Sequence, residues 1–299
     1  MALVGGGASP AFPPNTAVVW DCKAREEVSR IEWSTEIMSV KFLRNYLFVG
    51  ACGKIFVYDP QTLEFIKSIN DVFPLHICVA VTPAAQGQEG AGAPAGGRED
   101  GLGTLVTEGR DGHIKVGQFL RSGETAFDTR DYMAHNGSVV CVAVSADGRY
   151  CATASDKGTL IRIFSKDTGE KKKELRRGSS QAAITSITFS QDNAFLATTS
   201  NHGTVHVFAT GLCAGSNPKN TKSWFGMVPM NITQSEWSPC SFTVEPNSSL
   251  CFITDSNGVT RLIVIKESGD YSSYLICTDK KGVTASEEGT PVNLLTFSV

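Results

Sequence analysis

Most of the signatures that mark an enzyme or a metalloprotein are missing from this chain of 299 residues. It has no Walker loop, no Gly-x-Ser-x-Gly elbow, no His-Glu-x-x-His helix and no dinucleotide fingerprint. The nine cysteines (Cys22, Cys52, Cys78, Cys141, Cys151, Cys213, Cys240, Cys251, Cys277) stand singly, with no Cys-x-x-Cys pair. An odd, dispersed set argues against a disulfide framework and against a zinc site, and fits a reducing compartment. No apolar run approaches the roughly 18 residues of a membrane span, and residues 1–15 lack the charged start and apolar stretch of a signal peptide. No stretch reads as a convincing amphipathic helix. The expectation is a cytosolic, non-enzymatic protein with no catalytic residues, no metal and no cofactor.

Excess charge is also absent. Charged residues make up 19% of the chain and the formal balance is -3, so nothing global points to nucleic acid. An anionic ligand must be met by a local patch, and one is visible: "KKKELRRGSSQ", residues 171–181, places three lysines and two adjacent arginines together. With 41% hydrophobic residues the chain can bury a sizeable core.

What the sequence has is a repeat. "GKIFVYDPQT" from Gly53, "GHIKVGQFLR" from Gly112, "GTLIRIFSKDTG" from Gly158, "GTVHVFATG" from Gly203 and "GVTRLIVIK" from Gly258 each join a turn glycine to a short strand. Most follow another strand ending in a small or polar residue, as in "YCATASDK" and "FLATTSNH", so a hairpin recurs five times. A further strand lies upstream of each: "IMSVKFL", "HICVAVTP", "VVCVAVSADG", "ITSITFSQDN" and "SPCSFTVEPN". Units of about 40 residues with three or four strands suggest an all-β propeller of WD40 type, read here as one domain over 1–299. Two units run long. Residues 84–103, rich in Ala, Gly and Pro, are too poor in large apolar side chains to pack and read as a disordered loop. The second insertion spans residues 210–234.

"ATASDKGTLIRIFSKDTGEKKKELRRG", followed by "ITSITFSQDNAFLATTSNHGTVHVFA", resembles the PROPPIN family of seven-bladed, phosphoinositide-binding propellers. The family signature is here Leu175, Arg176, Arg177 and Gly178. The opening "ALVGGG" is similar to a second-blade segment of that family, so the resemblance implies that roughly the first blade is lacking and the ring is open or six-bladed.

Alternation along an extended segment sends adjacent side chains to opposite sides. Arg176 is thus expected to serve one pocket, with Ser155, Thr159 and Arg162, and Arg177 a second, with Ser200, Thr204 and His206. Guanidinium forks suit phosphate oxygens, hydroxyls suit ring hydroxyls, and Gly178 permits close backbone approach. Residue types alone say "phosphorylated anion". The resemblance narrows this to phosphatidylinositol 3-phosphate and the 3,5-bisphosphate, and adds His135 to the first pocket. Lys157, Ser179 and Ser180 are secondary contacts; His76 and His113 read as structural or exposed. If His206 acts in its charged form, acidification through about pH 6.5 should strengthen binding.

In residues 210–234, Lys219 and Lys222 lead into Trp224, Phe225, Met227, Val228 and Met230. Such a cluster in a polar loop suits insertion at a membrane interface, and the resemblance implies a membrane-inserting loop at this place. It also implies an autophagy effector on preautophagosomal, phagophore and endolysosomal membranes, with autophagy proteins as partners, among them a large lipid-transfer protein. The alternative is a WD-type protein scaffold that binds no lipid.

Overall fold

The computed structural model describes residues 2–5, 12–21, 23–43, 46–70, 73–80, 101–109, 111–120, 130–212, 235–266, 268–279 and 282–293. Their regular structure is entirely strand, and no helix among them is long and apolar enough to cross a membrane. The chain divides into two compact units, Met1–Met133 and Ala134–Val299.

The first unit holds three antiparallel sheets. One is β1 (Ala2–Val4), β2 (Thr16–Asp21) and β3 (Glu26–Glu32); the next is β4 (Ile37–Leu43), β5 (Tyr46–Ala51), β6 (Lys54–Tyr58) and β7 (Phe65–Ile69). The third joins β8 (Phe73–Ala80), β9 (Gly101–Glu108), β10 (His113–Leu120) and β11 (Arg130–Met133). Phe48, Ile55, Val57 and Ile69 of the second sheet pack with Ile77 and Leu105 of the third, so each sheet buries its apolar face against its neighbour.

The second unit carries the predicted site. Its first sheet runs β12 (Val139–Val144), β13 (Tyr150–Ser155), β14 (Leu160–Ser165), β15 (Lys171–Arg176). Its second comprises β16 (Ile184–Phe189), β17 (Phe195–Ser200) and β18 (Thr204–Ala209). After these come β19 (Glu236–Trp237), which adds to the outer edge of β15, and β20 (Cys240–Thr243), which completes the second sheet against β18. The last sheet is β21 (Ser249–Thr254), β22 (Thr260–Ile265), β23 (Asp270–Asp279) and β24 (Gly282–Asn293).

The residue pattern explains these elements. β17 is buried at every position, as an inner strand covered on both faces must be, and its small and apolar residues, "FLATTS", allow it. β14 alternates: Ile161 and Ile163 are fully buried, while Leu160 and Arg162 lie half-buried on the other face. Ile161, Ile163 and Leu175 meet Ile184, Ile187, Phe189, Leu196 and Phe208 of the next sheet in one core. Each such side chain contributes about 1.5–3 kcal/mol relative to exposure. The hairpin carboxylates are occupied by turns: Asp192 accepts from Ala194 N and Ser190 Oγ, and Asp255 from Asn257 N and Val259 N.

Four features differ from the sequence reading. "SPCSFTVEPN" does not open the last unit; its strand β20 pairs with β18 and closes the sheet before it. Residues 101–103, expected in the disordered loop, form the start of β9. Thr210 belongs to its sheet rather than to the following loop: it is fully buried, and its N–H and hydroxyl donate to Ala194 O. The long polar strands β23 and β24 have no counterpart in the repeat read from sequence.

Candidate functional site

The site is built on β15, the strand of the basic run. Lys173, Leu175 and Arg177 alternate with Glu174 and Arg176, and Leu175 sits in the core shared with the second sheet. Glu174 and Arg176 therefore occupy the opposite face. Register confirms it: Arg162 pairs with Glu174 and with Thr153, and Leu160 pairs with Arg176. Ser155 shares the face of Thr153, two residues back along β13. One face of the first sheet thus gathers Thr153, Ser155, Arg162, Glu174 and Arg176.

His135 joins them, its Nε2 2.9 Å from Thr153 Oγ1. Arg162 donates from Nε to Glu174 at 3.0 Å and from Nη1 to Ala134 O at 2.7 Å. Burial raises and Lys171 and Arg162 lower the Glu174 carboxyl, which ends below its usual range. Burial, followed by the charge of Arg162, pushes His135 down to about 4. Thr159 precedes β14 and contributes its carbonyl to Arg177 N at 3.0 Å. Lys157 is exposed.

Arg176 itself is only 9% exposed. Its Nε donates to Ser235 Oγ at 2.9 Å, and its guanidinium carbon lies 5.9 Å from the Trp237 ring centroid. These contacts come from residues that follow the long insertion and were absent from the expected pocket. The signal for them in sequence is faint, since a two-residue strand shows no periodicity.

Arg177 is 7% exposed and its donors meet backbone carbonyls: Nε reaches Gly158 O at 2.7 Å and Nη2 reaches Ser180 O. Burial lowers its pKa from the ordinary arginine value. In the second sheet, Thr198 pairs with His206, Thr204 with Thr243 and His206 with Ser241, so Ser200, Thr204 and His206 share one face. Burial, then the nearby charge of Arg177, pushes His206 down to about 4, and His206 Nδ1 lies 2.9 Å from Ser238 Oγ. Both effects favour the neutral ring in the free protein.

Two buried arginines thus point to opposite sides, and among the described residues neither is within ion-pair distance of a carboxylate. The lysines differ. Lys173 forms a half-buried pair with Glu236 at 2.8 Å, while the exposed Lys171 and Lys172 pair with Glu174 and Glu170. Gly178 has open space where a Cβ would stand. His113 makes a partly exposed pair with Asp131 at 2.7 Å, and the side chain of His76 lies outside the described residues. No group of three His, Cys, Asp or Glu side chains among the described residues is placed to hold a metal ion. Trp224, Phe225, Met227, Val228 and Met230 lie outside the described residues.

A sequence profile of the PROPPIN family matches residues 111–279, more than half of the chain and all of the site just described. The chain belongs to the PROPPIN family. This PROPPIN is 30% identical over 268 residues to autophagy-related protein 18 of Saccharomyces cerevisiae, covering 73% of this chain and 54% of that protein. It is 26% identical over 285 residues to human WD repeat domain phosphoinositide-interacting protein 1, covering 87% and 59%. It spans about half the length of the curated relatives it matches. Among solved structures, Kluyveromyces lactis Hsv2 superposes with a TM-score of 0.67 at 19% identity, over 94% of this chain and 80% of that one. KlAtg21, solved with the coiled coil of AgAtg16, gives 0.67 at 20% identity, over 98% and 81%. Likeness at that identity shows the fold, which is a β-propeller.

Proposed function

We propose that this PROPPIN binds phosphoinositide headgroups, phosphatidylinositol 3-phosphate and the 3,5-bisphosphate, at two pockets on opposite sides of β15. The observation that carries the reading is the pair Arg176 and Arg177, each more than nine-tenths buried and, among the described residues, held by neutral groups alone. A buried charge without a counter-charge is costly, and a phosphate brings one, with acceptor oxygens shaped for a guanidinium fork. Ser155, Thr159, Arg162 and His135 complete the first pocket; Ser200, Thr204 and His206 complete the second.

Trp224, Phe225, Met227, Val228 and Met230 act as a membrane wedge, so that two headgroup contacts and the wedge combine by avidity. The protein works peripherally on preautophagosomal, phagophore and endolysosomal membranes as an autophagy effector. Its partners are autophagy proteins, by analogy with the coiled coil bound to KlAtg21, and a large lipid-transfer protein. Flotation with vesicles containing phosphatidylinositol 3-phosphate tests the reading. The wild type floats, and Arg176→Ala with Arg177→Ala stays at the bottom with an unchanged melting temperature. Equal flotation of the two proteins would overturn it.

A further inference from the structure

Residues 235–238 touch both arginine-bearing regions. Ser235 Oγ takes the Nε–H of Arg176, the ring of Trp237 lies beneath the same guanidinium, and Ser238 Oγ meets His206 Nδ1. We infer that this short segment is a strap that positions the ligand groups of both pockets: Ser235 and Trp237 set Arg176, and Ser238 sets His206. The inference rests on the proposed headgroup binding and adds residues to it.

The strap is held independently of the groups it positions. β19 pairs in parallel with β15, which puts Trp237 opposite Arg176 and Glu236 opposite Leu175. Glu236 takes Lys173 Nζ through both carboxylate oxygens, at 2.8 and 3.1 Å. Two residues later the chain enters β20, whose Ser241 pairs with His206. One run of backbone is thereby fixed to the strand of Arg176 at one end and to the strand of His206 at the other.

The chemistry fits positioning rather than neutralisation. An arginine has five donors in a fixed fork, and with one hydrogen bond at Nε among the described residues Arg176 keeps its two terminal nitrogens for phosphate. A serine and an aromatic face orient the cation without cancelling it, as a carboxylate would. Long cationic side chains lose rotamer entropy when they are ordered, so a side chain ordered beforehand binds more tightly. The indole N–H of Trp237 is buried without an acceptor among the described residues, so its contribution is the ring.

Calorimetry with soluble dibutanoyl phosphatidylinositol 3-phosphate isolates each pocket through single arginine variants. With Arg177→Ala, leaving the first pocket, Ser235→Ala weakens binding about tenfold, the value of a hydrogen bond to a charged group. Trp237→Leu weakens it about fivefold, and Trp237→Phe restores it because the ring returns. With Arg176→Ala, leaving the second pocket, Ser235→Ala and Trp237→Leu change binding by less than about twofold, since the group they position is gone. Equal losses in both backgrounds would overturn the strap and mark the residues as structural. A wild type that binds no lipid would sink the functional reading, and the strap then stands or falls on the order of the Arg176 guanidinium in lipid-free protein, read by NMR of its Nε–H. Ser235→Ala should speed hydrogen exchange at Arg176 Nε several-fold and leave Arg162 Nε, held by Glu174, unchanged; unaltered exchange at Arg176 would contradict the strap.

Discussion

Arg162 and Arg176 occupy one face of one sheet, yet among the described residues only Arg162 of the two is matched by a carboxylate, Glu174 at 3.0 Å. Within the proposed first pocket Arg176 is therefore the guanidinium whose charge a ligand would meet, while Arg162 beside it is already held by Glu174. The histidines beside them are set by burial. His135 and His206 each fall to about 4, while an unfolded histidine titrates near 6.5. Between those values the unfolded state binds more protons, so their contribution to stability is whole above about pH 6.5 and is lost as the pH falls toward 4. The melting temperature should drop between pH 7 and pH 5, and His135→Gln with His206→Gln should flatten that drop; identical slopes for the variant and the wild type would contradict the assignment. The opposite directions of Arg176 and Arg177 were legible in sequence because strand alternation decides them. Ser235 and Trp237 were not, since they lie 59 and 61 residues from Arg176 across a long insertion and only the folded sheet brings them together.

At the scale of elements, the hairpins of the two proposed pockets follow one pattern in sequence but differ in spacing by one residue. Thr204 opens β18 and shares the face of His206, whereas Thr159 sits in a bend before β14, and Arg162 follows one position later than the parallel would suggest. The glycine before each threonine is demanded by the backbone. Gly158 has φ +59°, and a Cβ there would stand 1.8 Å from Ala182 O. Gly158→Ala should therefore destabilise the fold by more than about 1 kcal/mol, whereas Gly178→Ala, with open space around it, should melt with the wild type. Equal melting of all three proteins would refute this account of the hairpin. Such glycines, with alternating strands on either side, made the hairpins readable. β20 was given to the wrong sheet because the long insertion separates it from β18, leaving it closer in sequence to β21. β23 and β24 went unread because their many Ser, Thr and Glu residues mask the period of two.

For the whole molecule, the central claim is that adjacent arginines serve two separate sites. Had both side chains entered one pocket, the run around them would act as a single basic patch. Strand direction, the core position of Leu175 and the separate partners of Arg176 and Arg177 instead divide it. Two weak sites on one body suit a membrane, where the second contact is made at high effective concentration. The direct test is the number of soluble phosphatidylinositol 3-phosphate headgroups bound per chain, measured by calorimetry. The account predicts two for the wild type, one for Arg176→Ala, one for Arg177→Ala and none for the double variant. A single headgroup on the wild type, or loss of all binding on removing either arginine alone, would contradict it.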